Sequence, residues 1–312
     1  MEKIITITLN PAFDLHYYMD RFEKNKENYV KDIVCDAGGK GVNISRALTV
    51  MGVPNTAYMI LGKENGVQFE ESLKKDGMCC VPLYVEGRVR ENITLHPKDD
   101  RETRISLDNF SINKAILDEL YSLLKDTVTE GTVVSFSGRI PKGIVKDDVI
   151  EFLCRLKSCG ARLVVDSNSF GKDDLVKIRP YFIKPNDEEI VAFLGRELES
   201  ASDAARCACE FVKSGLSEQV MISLGKLGSS WSDGKRCVTV SVPALEQPLS
   251  TIGAGDSTVA GFIAATAAKL DTGTILRCAA AFGTAACMTE GTRPPRPEDI
   301  AEIYGCVTVS DV

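Results

Sequence analysis

Histidine and aromatic side chains are scarce in this 312-residue chain, which has two histidines and 7% Phe, Trp and Tyr. Positive charge is not in excess either, since 37 Lys and Arg stand against 44 Asp and Glu for a net charge of −7. The sequence therefore lacks a basic footprint for nucleic acid or an anionic membrane, and an anionic ligand requires a local basic pocket. The longest apolar stretches, Val259 to Ala268 and Cys278 to Met288, reach about half of the roughly 20 residues a spanning helix needs. Met1-Glu2-Lys3 and the short apolar run broken by Asn10-Pro11 do not follow the signal-peptide pattern, so a cytoplasmic protein without a membrane partner is expected. His16 and His96 are each isolated, and the eleven cysteines form no CxxC pair. Familiar zinc spacings and a disulfide framework are missing, and reduced thiols are expected.

Three catalytic loops are also absent: G-x-x-x-x-G-K-[ST], a G-x-G-x-x-G opening a helix, and the G-x-S-x-G elbow. P-loop ATPases, typical dinucleotide-binding dehydrogenases and α/β-hydrolases are set aside accordingly. What is present is an ordinary folded composition, 44% hydrophobic and 26% charged, without repeats, low-complexity tracts or linkers. Ile4 to Leu9 reads as a buried strand ended by Asn-Pro, and the glycines of Asp36 to Gly41 turn into a helix from Val42. From Ile112 onward strands alternate with helices, at Thr132 to Phe136, Arg162 to Val165, Tyr181 to Ile183 and Gln219 to Ser223. Such alternation predicts an α/β protein with a mainly parallel sheet covered on both faces. A hairpin over Ser229 to Val242 and an Ala-rich helical last third from Ala254 complete the body. Extended segments interrupt this rhythm at roughly 12–36 and 85–109, including the turn Pro97-Lys98-Asp99-Asp100. They suggest a small β lid in two pieces on a single domain spanning 1–312.

Ser250 to Phe262 carries the strongest chemical signal, glycines opening onto a small-residue helix with Asp256 in its first turn. A helix start presents unpaired N–H groups and the positive end of the dipole, so Gly253, Ala254 and Gly255 can cradle a transferring phosphoryl group. A carboxylate beside that nest can accept the proton of an attacking hydroxyl. The competing reading is an ordinary acid stabilised by the helix dipole.

Gly253-Ala254-Gly255-Asp256 resembles the signature of the PfkB (ribokinase-like) carbohydrate kinases, and other segments agree with it in order. Asp36 to Asn43 resembles the family's first signature, and Thr8 to Asp14 the opening of its hexose-phosphate branch. Gly87 to Asn92 is similar to the lid segment, Lys184 to Glu189 to the N-x-x-E element, and Ile222 to Gly228 to the nucleotide-binding strand and turn. The resemblance implies a three-layer α/β/α body with a mainly parallel sheet and a small discontinuous β lid. It implies ATP-dependent phosphorylation of a hexose phosphate, first fructose 1-phosphate, with tagatose 6-phosphate or fructose 6-phosphate as alternatives. A non-catalytic sugar-phosphate binding regulator is a remoter one.

In that scheme Asp256 is the base and the amides of Gly253, Ala254 and Gly255 stabilise the γ-phosphoryl. Asp14, Gly38, Gly39 and Asn43 hold the sugar, Lys40, Arg90 and Asn92 meet its anionic part, and Ser137, Gly138 and Arg139 lie beside it. Lys184, Asn186, Ser223, Gly225 and Gly228 fall on the nucleotide side, and Glu189 organises Mg²⁺ through water. Asn186 followed by Glu189 is equally a helix capping box, and the two roles are compatible. A monovalent cation near Ser250, Ile252 and the Gly291-Thr292-Arg293 turn, and a homodimer through the lid, are further implications. Two departures bear on the sugar: Ser137-Gly138-Arg139 carries an arginine where relatives have a small hydroxyl, and Thr103 to Phe110 lacks the usual Asn-Gly/Gly-Pro character.

Overall fold

A computed structural model describes residues 1–98, 100–107 and 110–312. Asp99, Asp108 and Asn109, which belong to the expected turn and lid segments, lie outside the described residues. The chain begins with β1 (Ile4–Thr8), β2 (Ala12–Met19), β3 (Asp32–Gly38), α1 (Lys40–Val50), β4 (Thr56–Gly62), α2 (Gly66–Lys75) and β5 (Cys80–Val85). It continues through β6 (Arg90–Pro97), β7 (Thr103–Ser106), α3 (Lys114–Leu124), β8 (Val133–Ser137), α4 (Lys146–Ser158), β9 (Arg162–Asp166) and α5 (Lys172–Ile178). Then come β10 (Phe182–Ile183), α6 (Asp187–Leu194), α7 (Ala201–Lys213), β11 (Val220–Ser223), β12 (Ser229–Ser232) and β13 (Cys237–Ser241). The last elements are α8 (Ala254–Ala267), α9 (Thr272–Ala286), α10 (Pro297–Cys306) and β14 (Thr308–Asp311).

Ten strands form one sheet in the order β14-β13-β12-β11-β10-β9-β8-β1-β4-β5. From β11 to β5 the neighbours run parallel, while β12, β13 and β14 are antiparallel additions at one edge. The unbroken apolar run of β1 is explained by burial on both faces. Ile5 and Ile7 join one core with Phe69, Leu120, Phe152 and Ile190 from the helices between α2 and α7. Ile4 joins the other with Leu48, Phe262 and Ala281 from α1, α8 and α9. These are the two helical layers that the alternating pattern predicts.

The Ala- and Gly-rich character of α8 and α9 serves close packing. A Cβ on Gly261 would lie 2.5 Å from the Cys278 carbonyl oxygen, and one on Gly283 would lie 2.0 Å from the Thr258 hydroxyl. Small side chains thus let the two helices approach backbone to backbone. The helical expectation for the last third misses β14. That strand is four mostly exposed residues paired only with β13, too short and polar to register as a period-2 pattern.

Four strands form a second sheet, in the order β3-β2-β6-β7. The segments between 12 and 38 meet those between 90 and 106 through parallel pairing of β2 with β6, which sets Asp14 opposite Asn92 and His16 opposite Thr94. In the large sheet the chain leaves β1 towards β4 on one side and returns as β8 on the other. Strand order reverses there, and the crevice outside the carboxyl ends of such strands is where open α/β sheets place ligands.

Candidate active site

Helix α8 starts at that crevice. Gly253 precedes it at φ 80, a left-handed conformation that glycine adopts without steric cost. The turn places Asp256 in the first helical turn, almost wholly buried. Asn43 on α1 donates from Nδ2 to Asp256 Oδ2 at 2.8 Å. Arg46, one turn further along α1, donates to Asn43 Oδ1 at 3.3 Å and is itself held by Asp76 at 2.9 Å. With its oxygen occupied in this way, the Asn43 amide is oriented to present its N–H to the acid.

A second carboxylate, Asp166 at the carboxyl end of β9, lies close to the first. Lys40 Nζ pairs with Asp166 Oδ1 at 3.1 Å, and Lys184 adds a second positive charge. The two acids are tuned in opposite directions. Burial pushes the Asp256 carboxyl up to about 6 and the charge of Asp166 adds to it, against Lys40, Asn43 and Lys184. For Asp166, burial would do the same, yet Lys184 and Lys40 hold it below the ordinary carboxylate range. Burial would lower the Lys40 ammonium, but Asp166 and Asp256 together keep it above its ordinary value. The result is an acid whose charged form is favoured by two lysines beside one shifted towards neutrality.

Between the small sheet and the crevice lies a cavity of about 630 Å³, lined by Asp14, Gly39, Lys40, Arg90, Asn92, Gly138 and Arg139 among others. Asn92 Nδ2 donates to Asp14 Oδ1 at 2.8 Å, and a Cβ on Gly38 would lie 2.7 Å from Asp14 Oδ2. Burial raises the Asp14 carboxyl, against Asn92 and Arg90. Arg90 is partly desolvated, and its Nε is buried without a hydrogen-bond partner. Gly138, at φ 102, donates its backbone N–H to the Asp166 carbonyl at 3.0 Å.

A second cavity, of about 490 Å³, opens on the other side of the α8 start. Asn186, Ser223, Gly225, Gly228, Ala254 and Gly255 line it together with Val242, Leu245, Ala280 and Thr284. Its shape depends on glycine at one point, since a Cβ on Gly228, at φ 87, would lie 2.1 Å from the Val240 carbonyl oxygen. Lys184 approaches from below, its Nζ 3.1 Å from where a Cβ on Gly255 would sit. A smaller cavity of about 130 Å³ joins Asp166, Lys184 and Glu189. Glu189 takes both parts expected of it in the capping box, receiving the Asn186 backbone N–H at 3.1 Å and giving its own to Asn186 Oδ1 at 2.7 Å. Asp166 Oδ2 is buried without a hydrogen-bond partner, and a hard divalent cation takes such oxygen donors. Asp166 and Glu189 supply oxygen donors of the kind Mg²⁺ takes.

The sequence candidates thus converge from distant parts of the chain on the two sides of α8. Ser137 is turned away, because its side chain is buried and shares a hydrogen bond with Ser135 at 2.8 Å, and Gly38, Asn43, Gly253 and Asp256 stand behind the walls of the two larger cavities. Ser250, Ile252, Gly291, Thr292 and Arg293 line the outer wall of the larger cavity. Sequence reasoning did not find Asp166 or Arg46. For Asp166 a signal existed, an acid ending an apolar strand at the ligand-bearing edge of a parallel sheet. The reading of His16 and His96 as isolated is corrected: pairing of β2 with β6 brings His16 Nδ1 to 2.9 Å from His96 Nε2, and His96 Nδ1 reaches Glu102 at 3.0 Å. Both histidines face the cavity.

The pattern of the pfkB family carbohydrate kinases matches residues 5–299. The 1-phosphofructokinase of Escherichia coli K12 is 30% identical over 261 residues, 84% of this chain and 83% of that protein. The 1-phosphofructokinase of Rhodobacter capsulatus is 30% identical over 309 residues, covering 98% and 97%. Among solved structures, phosphofructokinase-2 from Escherichia coli in complex with substrates and products has a TM-score of 0.88 at 26% identity, over 97% of this chain and 98% of that one. A structure of the same E. coli protein in complex with potassium has a TM-score of 0.88, at 26% identity over 98% of this chain and 99% of that one.

Proposed function

The chain belongs to the pfkB family of carbohydrate kinases and has their ribokinase-like α/β fold, and from that premise we propose that it transfers the γ-phosphoryl of ATP to fructose 1-phosphate, giving fructose 1,6-bisphosphate. The observation that carries this reading is the buried Asp256 at the α8 start, raised towards neutrality, with a cavity of mixed charge on one side of that start and a small-residue cavity on the other. The sugar phosphate occupies the larger cavity, its hydroxyls on Asp14, Gly38, Gly39 and Asn43 and its phosphate on Arg90. ATP enters the smaller one along Ser223, Gly225 and Gly228, with its phosphates towards Lys184, Asn186 and the amides of Gly253, Ala254 and Gly255.

Asp256 takes the proton of the attacking hydroxyl as the phosphoryl group leaves ADP. The helix-start amides stabilise the charge that grows on that group, and they do so without reorganising. Lys40 and Lys184 hold Asp166 ionised, so the added negative charge keeps Asp256 basic. Glu189 and Asp166 would hold Mg²⁺, which would supply charge neutralisation at the ATP phosphates. The small sheet acts as a lid that excludes water from the transfer. We further propose a cytoplasmic homodimer formed through that lid, where Tyr18, Ile33 and Ile105 are exposed apolar residues. A mass measurement returning a monomer at working concentration would oppose the dimer. A monovalent cation at the Ser250 and Thr292 wall belongs to the same reading, tested by comparing turnover in potassium with turnover in a bulky organic cation.

The test is a coupled ATP-to-ADP assay against fructose 1-phosphate, fructose 6-phosphate, tagatose 6-phosphate and unphosphorylated hexoses, with and without Mg²⁺. Highest kcat/KM on fructose 1-phosphate is expected. Preference for either of the other phosphosugars replaces the substrate and keeps the kinase. Sugar-phosphate binding with no turnover on any acceptor would make the chain a regulator on a kinase scaffold.

A further inference from the structure

The larger cavity carries more positive charge than Arg90 alone supplies, because the exposed Arg139 also lines it. Arg139 follows Gly138 where the chain leaves β8, and its side chain lines the same cavity as Arg90. The two guanidiniums feel each other: burial weakens the hold of Arg90 on its proton, Asp14 opposes this, and Arg139 adds to it. Among the described residues neither arginine has an ion-pair partner within 4 Å. Asp14, the acid nearest to Arg90, is already committed to Asn92. Arg90 Nε is buried and unpaired, so a desolvated donor and two like charges face one space. A dianion entering there relieves the repulsion and satisfies the donor.

The other basic side chains that line the cavity already have partners. His96 meets Glu102 at 3.0 Å, Arg104 meets the same carboxylate at 3.6 Å, and His16 shares a hydrogen bond with His96. On the facing wall Arg293 is paired with Glu290 at 3.3 Å. Among the described basic residues that line the cavity, Arg90 and Arg139 are the two without such a partner.

We infer that Arg139 joins Arg90 in clamping the phosphate the acceptor already carries, and so selects a phosphosugar over a neutral hexose. The inference rests on the kinase reading and assigns a specificity-determining role within it. Two guanidinium forks offer a phosphate more donors than one, each in a geometry that matches its oxygens.

The experiment compares wild type with Arg139→Gln and Arg139→Lys. Each is assayed on the phosphosugar that wild type turns over fastest and on the corresponding free hexose, with calorimetric titration of that phosphosugar in the absence of ATP. Arg139→Gln is expected to raise KM for the phosphosugar by about 10- to 100-fold, the scale of a lost charge-assisted hydrogen bond, with a much smaller change in kcat. Its dissociation constant should weaken by the same factor. The kcat/KM ratio of phosphorylated over free acceptor should collapse accordingly, and Arg139→Lys should recover part of it. An unchanged ratio, or equal losses on both acceptors, overturns the clamp. If wild type turns over the phosphosugar while Arg139→Gln binds it equally tightly, the clamp fails and the kinase reading stands. If wild type transfers nothing, fructose 1-phosphate is the titrant, and Arg139-dependent binding of it leaves the clamp standing while the kinase reading fails.

Discussion

The two cavities that meet at the start of α8 are built from different materials. The larger is lined by charges of both signs, among them Asp14, Asp36, Lys40, Arg90 and Arg139. The smaller has glycine, alanine, proline, valine and leucine in its wall, and among the described residues only Asp187 and Lys226 carry charge there. A polar, charged cavity recognises its ligand by where donors and acceptors fall, so one missing hydrogen-bond partner is expensive. A slot of small residues recognises by shape and leaves the ligand's own charge to be met elsewhere. That elsewhere is the junction, where Gly253, Ala254, Gly255, Lys184 and Asp256 stand between the two. Acceptor choice should therefore respond to single charges, donor choice should not, and chemistry should depend on the junction.

The largest effect is expected at the junction. Asp256→Asn should lower kcat by about 10²-fold or more, the usual scale of general-base catalysis, with both KM values changing far less. Near-normal turnover in that variant would remove the junction from the chemistry. The same substitution should stabilise the fold at alkaline pH. Because the folded carboxyl sits at about 6 rather than 3.8, the folded state binds more protons than the unfolded one between those values. The group's favourable contribution is full below about pH 4 and is lost as pH rises through about 6, leaving a cost on the order of 3 kcal/mol at most. Asp256→Asn should accordingly melt higher than wild type at pH 8, with the advantage shrinking towards pH 4. A thermal melt series across that range checks the sign.

Next in size, Arg90→Ala should raise KM for the phosphosugar by about 10- to 100-fold, since a half-buried guanidinium with a desolvated Nε is lost from the charged cavity. KM for ATP should move by less than about twofold, within the range of remote surface effects. Equal changes in both KM values would break the division between the cavities. Smaller again is the effect of proton concentration on the junction. With Asp256 at about 6, kcat at saturating substrates should fall about tenfold between its plateau and pH 5. A profile flat down to pH 5 would mean that bound phosphates and metal have moved this acid well below its value in the free protein.

The same division shows what the sequence made legible. Residues whose role follows from local conformation were visible, because Gly253 to Asp256 and Asp36 to Asn43 announce a helix start and its glycines within a few positions. The alternation from Ile112 onward likewise exposed the parallel sheet, as apolar runs and helical periods are local quantities. Charge constellations were not visible in this way. Lys40 and Asp166 are 126 positions apart and meet only because β1, β8 and β9 are neighbours. His16 and His96 are 80 apart and meet through the parallel register of β2 and β6. Asp166 ends a strand whose Val-Val-Asp gives no hint of two lysines arriving from elsewhere. β14 escaped for a different reason, its four residues lying exposed at an edge with a partner on one side only.

The smallest expected effect discriminates most finely between recognition by charge and by shape. Lys226 lies on the exposed turn between β11 and β12 and is, among the described residues, the only cation lining the smaller cavity. An exposed charge contributes about 0 to 1 kcal/mol, because solvent and salt screen it and the long side chain loses freedom when held. Lys226→Ala should therefore raise KM for ATP by no more than about threefold and leave the acceptor KM where it was. The wall itself should matter more, since Gly228 admits no side chain beside the Val240 carbonyl and a substituent there would shift the hairpin that shapes the slot. Titrating ATP against Lys226→Ala at low and high salt separates the two possibilities. A small loss at both salt concentrations keeps the donor slot a shape reader. A loss of tenfold or more that fades with salt would mean that Lys226 grips phosphate, and that both cavities select by charge.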